Sequence, residues 1–179
     1  MIPRLETERL ILREYRSDDF EAFATFMADR DVVRYLHGEP MARADAWRVL
    51  ATGIGHWYLR GYGTWAVERK SDSAFIGRVG LINPEGWPGL EVGWTLGQAY
   101  WGQGYATEAA KAAMRYGFLT QPVERLISVI DPLNKASQRV AARLGETKGL
   151  PHDIVFGGKV FSTDIWSITR ADWQRSQGA

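Results

Sequence analysis

Apolar residues recur along this chain in two rhythms, and the switches between them outline the elements. From Arg9 to Tyr15 the residues alternate, Leu10 and Leu12 against Ile11 and Arg13, which predicts a strand. Ser17 is placed to cap a helix, with Asp18 and Asp19 in its electropositive first turn. Phe20, Phe23, Phe26 and Met27 give that helix an apolar face. A second helix starts at Arg43, where Trp47, Leu50, Ala51, Ile54, Trp57 and Tyr58 keep helical spacing and read as core. Gly53 and Gly55 weaken it and Gly61 ends it. Thr64–Glu68, Ala74–Ile82 and Leu90–Leu96 then read as three successive strands, separated by turn-forming runs at 71–73 and 83–89.

A glycine-rich loop follows, and then a helix from Ala106 to Leu119. Its Ala106, Ala109, Ala110, Ala113 and Gly117 would let it lie close on a sheet. Leu126–Ile130 is the short apolar run of a buried strand, and Asn134–Leu144 is helical, ended by Gly145. Two last strands, Ile154–Phe156 and Lys159–Ile168, meet at Gly157-Gly158, a hairpin signal. The sum is an α/β arrangement over residues 1–179, a mixed sheet of seven strands with helices on both faces, in a single domain.

Composition narrows the chemistry. The 179 residues are 45% hydrophobic with 8 Trp, 7 Tyr and 7 Phe, enough for a sizeable core. A formal charge of +1 supplies no basic field, so nucleic acid is not an expected partner. The absence of cysteine removes disulfides, Cys-ligated zinc and a Cys nucleophile together. His37, His56 and His152 lack the i, i+4 spacing of a helical metal pair, so no metal is expected. No run approaches the roughly 18 apolar residues of a membrane span. Met1–Glu6 has no signal-peptide core, so the expected location is the cytoplasm, away from membranes.

The informative segment runs from Leu96 through Gly97-Gln98-Ala99-Tyr100-Trp101-Gly102-Gln103-Gly104-Tyr105-Ala106-Thr107 to Ala109. A strand enters a glycine loop that runs straight into a helix, whose unpaired N–H groups and dipole favour phosphate. Thr107 stands where a dinucleotide-binding fingerprint needs its third glycine, and the Gly-Lys-Ser/Thr of a P-loop is absent. Alone, the loop is either a phosphate cradle of another kind or a tight turn without a ligand.

The chain resembles the GNAT N-acetyltransferases, in particular the branch of ribosomal-protein N-terminal acetyltransferases. Gly104 and Ala106 match the last positions of the family's pyrophosphate motif. Trp101 replaces its usual Gln or Arg, but Tyr-Trp-Gly-x-Gly-Tyr-Ala-Thr-Glu-Ala is the form typical of the branch. Leu5–Arg13 looks like the branch's opening strand, Glu91–Trp94 its fourth, and Asn134-Lys135-Ala136-Ser137 to Gly145 its helix after strand five. The resemblance implies a mostly antiparallel sheet whose fourth and fifth strands, Leu90–Leu96 and Leu126–Ile130, splay apart. It implies acetyl-coenzyme A as co-substrate. The pantetheine arm would pair with Trp94, Thr95 and Leu96, and the pyrophosphate would meet the N–H groups of Gly102, Gln103, Gly104, Tyr105, Ala106 and Thr107. Gly93 is where a bulge would sit.

Acetyl transfer needs a neutral amine and a protonated leaving thiolate. At pH 7 an α-amine with a pKa near 8 is about a tenth neutral, a lysine only about 1 part in 2,500. Glu91, alternating away from Leu90, Val92, Trp94 and Leu96, is either the base at the cleft or a solvated strand acid. With its ordinary pKa near 4.3 it would suit an amine near 8 better than a lysine. Ala141 occupies the position of the family's tyrosine acid, and the resemblance then points to Ser137, one turn earlier, as proton donor. The alternative for Ser137 is a surface hydroxyl bonded one turn back. Asn134 would bind pantetheine, cap the helix, or do both. Glu146 departs from the family's Gly-Phe and puts local packing in question.

The expected activity is direct acetyl transfer to a primary amine, on a peptide N-terminus or a small molecule, by a monomer or homodimer. The alternatives are a non-catalytic acyl-CoA-binding module and a transferase for a bulkier acyl group, which would place cations in the acyl pocket. Tyr35-Leu36-His37-Gly38 and the loops around His152 to Lys159 would choose the acceptor.

Overall fold

The chain turns back on itself almost at once. Strand β1 (Leu5–Glu6) pairs antiparallel with β2 (Leu10–Arg13) across a turn in which Thr7 N–H donates to the Leu10 carbonyl at 3.0 Å. The opening segment is therefore a hairpin, not one strand, and it brings the sheet to eight strands where seven were expected. The computed structural model describes residues 1–36, 38–156 and 158–178, so His37 and Gly157 lie outside the described residues. The other strands are β3 (Thr64–Arg69), β4 (Ala74–Ile82), β5 (Glu91–Leu96), β6 (Arg125–Ile130), β7 (Thr147–Phe156) and β8 (Lys159–Thr169). Their order is β1-β2-β3-β4-β5-β6-β8-β7, antiparallel throughout except for β5 beside β6.

Helices cover both faces. On one lies α4 (Tyr105–Thr120), whose Ala109, Ala110 and Ala113 are fully buried against Val79, Leu81 and Val92. A Cβ on Gly117 would come within 3.2 Å of Leu81, so the small-residue stripe does set the close approach. On the other face Phe23 and Met27 of α1 (Asp19–Ala28) meet Ala46 and Leu50 of α3 (Arg43–Arg60). Gly61 ends α3 with a φ of 74°. Trp57 of this helix is core, but Trp47 and Tyr58 are exposed, contrary to the pattern reading. They fall on the outer side of a helix that contacts the sheet with one face only.

Three short elements escape periodicity: α2 (Arg30–Val33), capped by Asp29; α6 (Arg170–Gln177), capped by Thr169; and the first half of β7. The strand expected at Ile154–Phe156 is there but begins earlier, at Thr147, and it takes in His152, which was expected in a loop that chooses the acceptor. Pro151 is tolerated inside β7 because β7 is an edge strand, and the register shifts between Lys148 and Pro151. The α5 helix (Lys135–Arg143) ends as expected, with Gly145 at a φ of 84°.

Ser17 does not cap α1. Asp18 takes the cap position without a side-chain bond, and Asp19 turns inward instead. There it receives the fork of Arg13 at 2.8 Å on each oxygen and the Arg16 N–H at 2.7 Å. Arg13 Nε also donates to Glu68 at 2.6 Å. Arg13 is thus buried, although its alternation suggested the outer face.

Candidate active site

Strands β5 and β6 part after a single ladder pair, Glu91 with Ile127, held by Ile127 N–H to the Leu90 carbonyl at 3.0 Å. On its other side β5 keeps full register with β4, and Gly97 N–H donates to Ile76. That bond fixes the alternation: Glu91, Gly93 and Thr95 direct their main-chain groups at β4, whereas Val92, Trp94 and Leu96 direct theirs into the gap. The β4–β5 register runs unbroken through Gly93, so no bulge forms there. The one register shift on this side of the sheet lies at Val67/Glu68, between β3 and β4.

Side chains take up part of what the splay leaves unpaired. Ser128 Oγ lies 2.8 Å from the Val92 carbonyl, and Glu91 Oε1 accepts from Val129 N–H at 3.4 Å. The indole of Trp101 donates to the Leu96 carbonyl at 2.8 Å. The N–H and C=O of Trp94 and the N–H of Leu96 are what remains facing the gap. This narrows the strand edge open to a ligand to Trp94 and half of Leu96; the main chain of Thr95 is committed to Arg78 of β4. An open cavity of about 140 Å3 occupies the gap, with Glu91, Thr95, Asn134 and Ser137 in its lining.

Glu91 is buried rather than solvated, at 7% exposure. Burial pushes its carboxyl up to about 7, against the pull of the Trp87 indole, which donates to Oε2 at 2.6 Å. The ordinary carboxylate value used in the sequence argument is therefore replaced by one near neutrality. Behind it lies a second acid. Glu146 is buried, its Oε1 is 3.0 Å from Ser128 Oγ, and its Oε2 has no partner among the described residues. Burial pushes this carboxyl up to about 8, and the neighbouring Glu91 adds to the rise. Hydrogen counting agrees. Ser128 has one hydroxyl proton and two oxygen neighbours, so both contacts are hydrogen bonds only if Glu146 donates to Ser128 and Ser128 to Val92.

Ser137 stands in the first turn of α5, capped by Asn134, whose Oδ1 accepts the Ser137 N–H at 3.0 Å. The Trp94 indole donates to Ser137 Oγ at 3.2 Å. Thr25, Thr52 and Thr120, farther along their helices, return their hydroxyl protons to the carbonyl four residues back, whereas Thr107, in the first turn of α4, does not. Ser137 makes no such bond among the described residues, so its proton is free to face the cavity. Ala141, one turn on, is fully buried, and its methyl side chain offers no proton.

The glycine loop continues from the end of β5. Gly102 and Gly104 have φ of 73° and 84°, and the first bond of α4 runs from Glu108 N–H to the Gly104 carbonyl. The N–H groups of Tyr105, Ala106 and Thr107 are the free donors that precede it. Arg9 is clamped beside them. Its Nε donates to Glu108 at 2.7 Å, its Nη1 to the Gln103 carbonyl at 3.0 Å, and a Cβ on Gly104 would lie 3.3 Å from its Nη2. The Tyr105 side chain is buried beneath, with Arg9 4.5 Å above its ring, and that of Gln103 bonds Ala99. A left-handed turn, free helix N–H groups and a fixed cation make a cradle for an anion.

A family model described as the acetyltransferase (GNAT) domain matches residues 9–147. The chain belongs to the GNAT acetyltransferases. It is similar to the uncharacterized protein YkkB of Bacillus subtilis (strain 168), with 34% identity over 79% of this chain and 84% of that one. It is also similar to the [ribosomal protein uS5]-alanine N-acetyltransferase of Escherichia coli (strain K12), with 26% identity over 95% and 92%. A crystal structure of an acetyltransferase from Agrobacterium tumefaciens str. C58 superposes with a TM-score of 0.82 at 30% identity, over 95% of this chain and 96% of that one.

Within the GNAT fold the gap thus brings together Glu91, Trp94, Asn134 and Ser137; the glycine loop continues from the end of β5, and none of its residues lines the cavity. Tyr35 and Leu36 line the cavity, but no described residue from His152 to Lys159 does. Sequence reasoning missed Trp87, Ser128 and Arg78, and met Glu146 only as a departure from pattern. Among the described residues no group of three or more His, Cys, Asp or Glu is placed to hold a metal, and no helix is long and apolar enough to cross a membrane. His56 is a packing residue, with one ring nitrogen 2.7 Å from the Tyr62 carbonyl and the other accepting Asn83 N–H.

Proposed function

We propose that this GNAT protein transfers an acetyl group from acetyl-CoA directly to a primary amine of modest pKa, on a peptide N-terminus or a small molecule. The observation that carries the reading is the uncommitted proton of Ser137 beside the unpaired main chain of Trp94. The residues present suit the co-substrate: Trp94 and the Leu96 N–H offer a free strand edge to an amide-bearing arm. Tyr105, Ala106, Thr107 and Arg9 offer donors to a pyrophosphate, and the Asn134 amide is left with its NH2 after capping. When bound, acetyl-CoA supplies the thioester. Glu91 accepts the proton that the amine sheds as its N–C bond forms. Ser137 gives its own proton to the sulfur as the S–C bond breaks, and is reprotonated from solvent.

A base near 7 removes a proton from an amine near 8 at small cost, whereas a lysine near 10.4 remains a poor match. The similarity to an enzyme named for acetylating an alanine of ribosomal protein uS5 supports the same class of acceptor. The test has two stages. Acetyl-CoA should raise the melting temperature of the native protein and not of Gly104→Val, in which a branched side chain meets both a φ of +84° and the Arg9 guanidinium. Ser137→Ala should keep that shift yet lose about ten- to a thousandfold in thiol release over a panel of amines. Binding without thiol release from any amine would leave an acyl-CoA-binding module, and an unchanged rate in Ser137→Ala would remove its role as acid.

A further inference from the structure

Arg78 lies on β4 at the wall of the cleft and lines the same cavity as Glu91 and Ser137. It is half-buried, yet its guanidinium makes no hydrogen bond or ion pair among the described residues; it lies 5.7 Å from the ring of Phe23. Two other arginines of the sheet that are not fully exposed are treated differently. Arg13 is saturated by Asp19 and Glu68, and Arg69 is paired with Asp72. The acids that line the cavity with Arg78 do not serve it. Glu91 is turned to Trp87 and Val129, and Asp131 accepts the Leu133 N–H at 2.7 Å; the nearby Tyr15 hydroxyl, 3.0 Å from Thr64, is pushed up by burial and stays neutral.

Register gives the spacing. Arg78 faces Thr95 and Ile82 faces Glu91, so the two charged groups stand on one face of the sheet, four residues apart along β5. That is about 13 Å between backbone positions, which the two side chains shorten from either end. Between them the floor is Gly80 opposite Gly93, with no side chain on either strand. A Cβ on Gly80 would meet the Gly63 carbonyl at 2.4 Å, so that floor is fixed by packing. A planar, permanently charged fork at the end of such a trough matches a carboxylate.

We propose that Arg78 determines specificity by binding a carboxylate carried by one of the two substrates. That carboxylate belongs either to an amine acceptor that is also an acid or to a dicarboxylic acyl chain. The inference rests on the acyltransferase reading, and it places the reacting amine over Gly93 with the anion at Arg78.

The test compares matched pairs on the full-length protein. Amino acids and amino-terminal dipeptides are offered as free acids and as carboxamides, with acetyl-CoA; neutral amines are offered with acetyl-CoA and succinyl-CoA. If the acceptor carries the anion, the acid is preferred by about ten- to a hundredfold in kcat/KM, the worth of a charge-assisted hydrogen bond. Arg78→Gln erases that preference, so that acid and carboxamide are used alike; the pair is compared within the variant, because losing the Arg78 charge also pushes Glu91 up. If the acyl chain carries it, succinyl-CoA shows the Arg78-dependent gain with neutral amines. Arg78→Lys keeps the charge without the fork and should retain part of the preference, and it serves if the Gln variant fails to fold. Equal use of acid and amide, with equal use of both acyl donors, overturns the proposal, as does a preference that survives both variants. Should no amine release thiol at all, the transferase reading fails on its own. Arg78 is then read by titrating N-acetyl amino acids and their amides calorimetrically onto the CoA-saturated protein, and equal affinities would overturn it.

Discussion

Asp19 and Glu68 at one side of the sheet share the guanidinium of Arg13, while Glu91 and Glu146 in the central gap touch no cation among the described residues. All four carboxyls are at most 8% exposed, so burial is common to both pairs and does not separate them. What separates them is the partner. Around Arg13, bonds from Asp19 outweigh the cost of burial and hold the guanidinium well above its ordinary value. In the gap the only donors are neutral, the Trp87 indole and the Val129 N–H for one acid and Ser128 for the other, and both carboxyls are pushed up toward neutrality. Matched buried charge makes structure. Unmatched buried acid makes a group that can hold or release a proton near pH 7.

The largest expected effect breaks the matched side. Arg13→Met keeps much of the side-chain volume but strands Asp19 and leaves Glu68 only the exposed Arg16 at 3.3 Å, which should cost about 3–5 kcal/mol of stability. Urea unfolding at pH 7 measures it, and a loss under about 1 kcal/mol would mean that water already solvates the network. The triple Arg13→Met, Asp19→Asn, Glu68→Gln should recover part of the loss, since it removes the orphaned charges together.

How much of this was legible in the sequence follows the same division. Elements that bury one periodic face could be read directly: α1, α3, α4 and β3 to β5 fall within a few residues of where pattern puts them. The glycine loop was equally plain, because a left-handed turn before a helix demands glycine at 102 and 104. The first half of β7 shows no strand pattern, because Gly149 and Pro151 break the alternation, yet it lies on an edge strand that needs no bond from the proline. Thr169-Arg170-Ala171-Asp172 carried a capping-box signal for α6 that was passed over, and Thr169 Oγ1 does accept the Asp172 N–H. The inward turn of Arg13 and the burial of Glu91 could not be read at all. Both depend on what a neighbouring strand places opposite, and alternation reports a face without saying whether that face meets water. The departure at Glu146 was visible as chemistry, but its partners Ser128 and Glu91 come from two other strands.

An effect of intermediate size sharpens the unmatched side. Glu146 holds its proton up to about pH 8 when folded and only to about 4.5, its ordinary value, when unfolded. The native state therefore binds the extra proton between those values, and the stability this contributes is complete below about pH 4.5 and lost as pH rises through 8. Glu91 adds a loss of the same sign, ending near pH 7. Glu146→Gln keeps the shape and a donor for Ser128 but cannot ionise. Its unfolding free energy should fall less than that of the native protein between pH 5 and 8.5, by about 2–4 kcal/mol. Parallel curves would show that Glu146 titrates normally in the folded protein.

The smallest effect concerns a single hydrogen bond. Trp87 donates to Glu91 at 2.6 Å, and a donor to a carboxylate favours its charged form. Removing it with Trp87→Phe should raise the Glu91 pKa further above 7, by about half a unit to one unit for a half-exposed donor. If Glu91 is the base, the acid limb of kcat/KM lies near pH 7 in the native enzyme and moves to higher pH in the variant. The measurement uses an acceptor whose own amine titrates well below 7, so that the limb belongs to the protein. At pH 7 the variant should then be slower by about two- to fivefold, and above pH 9 it should match the native enzyme. Glu91→Gln should abolish the limb altogether and lower the plateau. The two readings of Trp87 part here. A residue that only packs the loop at 83–89 would lose activity equally at every pH, whereas one that tunes the acid moves the limb and leaves the plateau in place.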